Sequence, residues 1–204
     1  MVAAPERSPE RDAAIAAMLP NVPFDGWTWR ALRRGLADIG MSADEAESLF
    51  PGGTADMIEA FCDWADRRME AAAEREVAAG RTHERVRAVI ALRLAQNRPH
   101  KEAIRRALAL LALPQNARLA AACTARTVDA VWHAAGDRST DFSWYTKRAI
   151  LGAVYGMTLL YWLRDSSDGD AATLAFLDRR LAGVGRIGSL RRRAESAVAR
   201  LRPA

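Results

Sequence analysis

Three histidines, two cysteines and a set of loop aspartates are the side chains of this 204-residue chain best suited to chemistry. A metal centre needs three or more such groups converging on one point. Asp129 and His133 stand four residues apart, on one face of any helix that carries them. They offer two ligands without a third, a pattern better read as a surface hydrogen bond. His83 and His100 fall on other helices or their ends. Asp137, Asp141 and Asp165 lie around loops, where capping is the ordinary work of Asp. Cys62 and Cys123 are 61 residues apart and form no C-x-x-C motif, so they read as two free thiols in a reducing compartment. The sequence has no G-x-x-x-x-G-K loop, no G-x-G-x-x-G turn, no H-E-x-x-H helix and no paired Glu-x-x-His. The expectation is no catalytic residue, no metal, no cofactor and no enzyme.

The elements that would position any other kind of site are helical. The chain holds 43 Ala and 20 Leu against 17 Val plus Ile, a mix that favours helix over sheet. Hydrophobic residues at 50% and charged residues at 27% exclude a disordered tail and a membrane channel. The net charge of +5 conceals a split: residues 1–80 carry 8 basic and 15 acidic side chains, residues 81–204 carry 22 and 10. Attraction to an anionic surface must come from the second half. The N-terminus shows neither an apolar secretory stretch nor the acid-poor composition of a transit peptide. The longest uncharged run, Ala149–Leu163, has 15 residues, short of the roughly 20 needed to span a bilayer. Of the 30 basic residues 28 are Arg, which with the Ala excess suggests a GC-rich bacterial genome. A cytoplasmic protein peripherally attached to a bacterial inner membrane is the expected location.

Cap signals divide the chain into about ten helices. Ser8-Pro9 opens the first, and Trp29, Leu32, Leu36 and Ile39 mark one face of another, closed by Gly40. Ser42-Ala43-Asp44-Glu45 is a capping box. Helix 28–39, turn 40–42 and helix 43–50 together form a helix-turn-helix pattern. A reading helix needs donors for base edges and cations for phosphates. This one offers Asp44, Glu45 and Glu47 instead, and residues 24–60 hold three basic against seven acidic groups. The motif is a scaffold disarmed as a DNA reader, so no nucleic-acid partner is expected.

Two segments carry more information. Residues 135–148, AGDRSTDFSWYTKR, run from a polar turn into Phe142, Trp144 and Tyr145, followed by Lys147 and Arg148. Either Asp141 or Ser143 caps a helix whose aromatics fill the core, or the aromatics and charges form an exposed anchor for a partner. The apolar helix that follows, about Phe142 to Leu163, is apolar all round and must be covered by protein, a partner subunit or lipid. In the tail, Ile187, Leu190, Ala194, Ala197, Val198 and Leu201 fall on one side of a helix. Arg191, Arg193, Arg200 and Arg202 flank that stripe, and residues 179–204 hold eight basic groups against Glu195. Such a helix either docks on its own domain or lies on an anionic membrane surface, with Ile187, Leu190, Arg191, Arg193, Val198 and Leu201 in contact.

The stretches AGDRSTDFSWYTKRAILGAVYGMT, GWTWRALRRGLADIG, SLFPGG, WLRDSS and TLAFLDRRL resemble the coenzyme Q biosynthesis protein nine family, from about Phe24 to Val184. The resemblance implies an all-α, TetR-like fold, with a degenerate N-terminal helix-turn-helix and a helical ligand-binding domain, usually dimeric. It implies a lipid-binding accessory protein of ubiquinone biosynthesis that presents an isoprenoid quinone intermediate to a ring hydroxylase. The family's partner-facing patch maps onto Asp141, Trp144 and Tyr145. No short motif marks the family's lipid cavity; Leu94, Leu151, Val154, Met157 and Leu160 are the expected lining. Expected partners are thus an isoprenoid quinone or phospholipid, a ubiquinone-biosynthesis hydroxylase, a membrane surface and a second copy of the chain. The expected domains are 1–53, helix-turn-helix-like; 54–186, lipid-binding and dimerising; and 187–204, the basic amphipathic helix. The competing reading is a TetR-like transcriptional regulator that binds DNA and a small apolar ligand.

Overall fold

The computed structural model describes residues 4–137 and 143–183, with the backbone alone for 143–145. Every regular element among them is an α-helix or a 3-10 turn. The chain divides into two compact units, Met1–Ser139 and Thr140–Ala204.

The first unit begins with α1, Pro9–Met18, whose N-terminus is closed by the Ser8 hydroxyl accepting from the Arg11 amide. A single turn, α2 (Val22–Asp25), had no periodic signal in the sequence, and Pro23 starts it. Next comes α3, Trp29–Asp38, capped by Thr28. Beyond Gly40, which turns the chain at φ +74°, the expected helix 43–50 splits into a 3-10 turn (Ala43–Glu45) and α4 (Ala46–Leu49). The Ser42–Glu45 capping box closes that turn as the sequence suggested. Four longer helices follow: α5 (Gly53–Glu76), α6 (Thr82–Asn97), α7 (Lys101–Leu111) and α8 (Ala117–Ala134).

Both apolar periodicity and buried charge hold these helices together. Ile58, Phe61, Ala65, Met69 and Ala72 are buried along one face of α5, and Leu32 and Leu36 along α3. Helices α1 and α3 cross so closely that a Cβ on Gly35 would meet the backbone of Ala17 and Met18 at 2.7 Å. Only the missing side chain permits that approach. The buried Arg11 guanidinium donates to the Leu49 carbonyl and to Asp56, and lies 4.4 Å from the centre of the Phe50 ring. Arg67 bridges Asp12 and Asp63, tying α1 to α5 through paired hydrogen bonds of 2.6–2.9 Å.

Helices α5 and α8 run parallel. Glu59 pairs with Arg126, Asp66 with Thr127 and Glu70 with His133, so contacts advance in the same direction along both. Between them and α6 lies a buried polar cluster: Arg93 Nη1 is 2.5 Å from Asp66, and Thr127 donates to Asp66 at 3.1 Å. Burial pushes the Asp66 carboxyl up to about 6, against the opposing pull of Arg93 and Thr127.

The second unit contains α9 (Ser143–Trp162), a 3-10 turn (Asp168–Asp170) and a helix, α10, described over 171–183. Asp165 sets the joint. Its carboxylate accepts from the amides of Ser167 and Thr173 and from the Thr173 hydroxyl, all within 2.8 Å. No helix among the described residues is long and apolar enough to cross a membrane.

Candidate functional site

The helix-turn-helix has its shape without its chemistry. Arg30 and Arg34 both reach Asp25, at 3.3 and 2.8 Å, and Arg33 reaches Glu47 at 2.9 Å. The three cations that would meet phosphates are thus paired with carboxylates, Asp25 on α2 just before the motif and Glu47 within it. Arg33 pairs directly across to α4, on the short helix that would have to enter the groove. His133, paired in the sequence reading with Asp129, places Nδ1 2.9 Å from Glu70.

The distinctive surface of the second unit is α9. Leu151, Val154, Tyr155, Thr158 and Trp162 are buried, and at 3.6 residues per turn they fall within about 100° of one another. The neighbouring sector is apolar as well, yet it faces outward. Ile150, Met157, Leu160 and Tyr161 are exposed, Leu160 to 60%. A charged residue would normally occupy such positions on a soluble helix. The Tyr161 ring stacks on Phe176 of α10 at 4.6 Å between centroids, and the Arg180 guanidinium lies 4.7 Å from the Phe176 centroid. The outward stripe therefore ends in an aromatic pair with a cation above it, which brings an apolar body and a positive edge together.

This arrangement divides the residues expected to line a lipid cavity. Leu151 and Val154 belong to the buried sector of α9. Met157 and Leu160 belong to the exposed one, with Leu160 about 180° round the helix from Leu151. The four share no face, because they were joined by apolarity on a helix that is apolar all round. Leu94 is buried on α6, in the first unit. Trp144 and Tyr145 occupy the first turn of α9, and their side chains lie outside the described residues. Asp141 and all six tail residues, Ile187, Leu190, Arg191, Arg193, Val198 and Leu201, also lie outside the described residues. Sequence reasoning passed over Ile150, Tyr161, Phe176 and Arg180. The spacing of Ile150, Met157 and Tyr161, at i, i+7 and i+11, was the available signal.

Together these features define an all-helical, TetR-like protein with a neutralised helix-turn-helix and an outward apolar stripe in its second unit. A solved TetR transcriptional regulator from Nitrosomonas europaea has a similar fold, with a TM-score of 0.67 and 25% identity over 86% of this chain and 97% of that one. The sequence model of the COQ9 family matches residues 117–188, which include α8, α9 and α10. The rat mitochondrial ubiquinone biosynthesis protein COQ9 is 34% identical over 89% of this chain and 61% of its own length. The Schizosaccharomyces pombe mitochondrial ubiquinone biosynthesis protein coq9 is 31% identical over 85% of this chain and 69% of its own. The chain belongs to the COQ9 family. It spans about three fifths of the length of the rat relative.

One expectation is overturned by these relatives. They are named as mitochondrial proteins, which conflicts with a cytoplasmic protein at a bacterial inner membrane. The composition behind that reading, an Arg and Ala excess, reflects the base content of a genome and carries no information about compartment. Acidic residues near the N-terminus spoke only to the stretch they occupy.

Proposed function

We propose that this chain serves ubiquinone biosynthesis as a lipid-binding accessory protein with no chemistry of its own. It takes an isoprenoid quinone intermediate at a membrane surface and presents it to a ring hydroxylase. The relatives' names support the pathway. The observation that carries the lipid reading is the outward stripe of Ile150, Met157, Leu160 and Tyr161 on α9. A polyisoprenoid tail is a long apolar chain without hydrogen-bonding groups, and such a stripe can cover it without leaving a polar group unpaired. In this reading Trp144 and Tyr145, in the first turn of the same helix, meet the hydroxylase together with Asp141, so lipid and partner converge on one element. The basic tail supplies reversible contact with the membrane surface, and the protein acts as a homodimer.

The competing reading, a DNA-binding regulator, has the fold likeness in its favour. Against it stand the three arginines already held by Asp25 and Glu47. The test is the double substitution Met157→Asp and Leu160→Asp in the full chain, scored for lipid recovered by organic extraction. Both positions are exposed, so helical content is expected to stay unchanged while extracted isoprenoid quinone falls at least tenfold. Unchanged lipid in a folded variant would remove the stripe from the mechanism.

A further inference from the structure

The packed layer of α5 and α8 holds both cysteines of the chain. Cys62 lies on α5 and Cys123 on α8. Because the two helices run parallel, an offset of 61 residues brings Thr127 onto Asp66 at 3.1 Å. Cys123 and Cys62 have that same offset, one helical turn earlier, so the register sets the two side chains opposite each other. Cys62 is partly exposed and Cys123 is 4% exposed, so the pair sits at the edge of the layer. Arg126 Nη2 stands 3.5 Å from the Cys123 sulfur and is itself held by Glu59 at 2.7 Å. A cysteine pair on facing helices, with a guanidinium against one sulfur, has the parts of a thiol–disulfide couple.

We propose that Cys62 and Cys123 form a peroxide-responsive pair that closes into a disulfide between α5 and α8. The Cys123 thiolate attacks one oxygen of hydrogen peroxide. The O–O bond breaks, an S–O bond forms, and the departing hydroxide takes up a proton to leave as water. The Cys62 sulfur then attacks the Cys123 sulfenic acid, the S–O bond breaks, and the released oxygen takes the Cys62 proton to leave as a second water. Two thiols are oxidised by two electrons in total, and one peroxide is reduced to two waters.

The local electrostatics fit these roles. The Arg126 guanidinium against its sulfur favours the Cys123 thiolate, while burial and Glu59 oppose. Burial pushes the Cys62 thiol up, with Asp66 adding and Arg93 opposing. The guanidinium contact makes Cys123 the attacking sulfur and Cys62 the resolving one.

The experiment uses the full chain, reduced, desalted and exposed to a few equivalents of hydrogen peroxide near neutral pH. The expected product is a monomer lighter by two hydrogens, with both thiols closed to maleimide and a single linked Cys62–Cys123 peptide on digestion. Dithiothreitol should reverse it. The Cys62→Ser variant should instead accumulate a Cys123 sulfenic acid, one oxygen heavier and trapped by dimedone. Arg126→Gln should slow oxidation several-fold without changing the product. Two thiols still open to maleimide after treatment, or cross-linked dimers as the main product, would overturn the proposal.

Discussion

The helix-turn-helix region and α9 depart from expectation in opposite directions. In the first, the arginines of an interaction motif are paired with Asp25 just before it and Glu47 within it. In the second, a helix with a fully buried face keeps another apolar face turned outward, where charge would be the default. The comparison teaches where to look for function in this fold. Shape alone persists in α3 and α4, while unspent hydrophobic surface persists in α9.

The largest effect separates the two faces of α9. Trp162 is fully buried, and Trp162→Ala is expected to cost roughly 3–5 kcal/mol of stability. Leu160→Ala, on the outward face, should stay within about 0.5 kcal/mol in the same denaturant titration. Similar costs at both positions would mean that the outward stripe is covered in the folded protein.

Trp144→Lys sharpens the same contrast at the start of the helix. It is expected to preserve helical content by circular dichroism and to abolish co-purification of the hydroxylase. Anchor aromatics of this kind carry about 2 kcal/mol or more of binding energy. Loss of helical content would instead place Trp144 in the core.

A further test lies in the buried polar cluster between α5, α6 and α8. The Asp66 carboxyl is raised to about 6 from an ordinary 3.8, so the folded state holds a proton that the unfolded state has released. Its contribution is present below about pH 4 and is lost as pH rises through 6. Denaturant titrations of wild type and Asp66→Asn should therefore run close together near pH 4. Towards pH 7 they should diverge in favour of the variant, by about 3 kcal/mol at most. A constant offset between the two curves would show that Asp66 titrates alike in the folded and unfolded states.

The smallest effect concerns the disarmed motif. Asp25→Asn with Glu47→Gln frees Arg30, Arg33 and Arg34. The expected gain is weak, salt-sensitive DNA binding above the wild-type level, seen in a low-salt shift assay. Tight sequence-specific binding by wild type would reverse the comparison.

The sequence was informative where a signal is local. Ser8-Pro9 and the Ser42–Glu45 box fix helix starts through side chains three residues apart, and the structure has both caps. The acid excess around α3 and α4 was legible as well, but that Asp25 and Glu47 pair with Arg30, Arg33 and Arg34 is a tertiary fact the composition did not state. The one-turn helix α2 was invisible, since four residues carry no period. The faces of α9 were not legible for a different reason: a helix apolar all round has no moment to say which side is buried. Met157 and Leu160 were grouped with Leu151 and Val154 on that account. The Cys62–Cys123 meeting depends on the parallel register of α5 and α8, a tertiary fact that no spacing within either helix encodes.

The most direct test of the lipid reading is native mass spectrometry of the full chain purified from its own host. The spectrum should show a dimer carrying non-covalent ligands whose masses match isoprenoid quinone intermediates, released by activation in the gas phase. A bare protein under the same gentle conditions, with Met157→Asp and Leu160→Asp giving an identical spectrum, would contradict it.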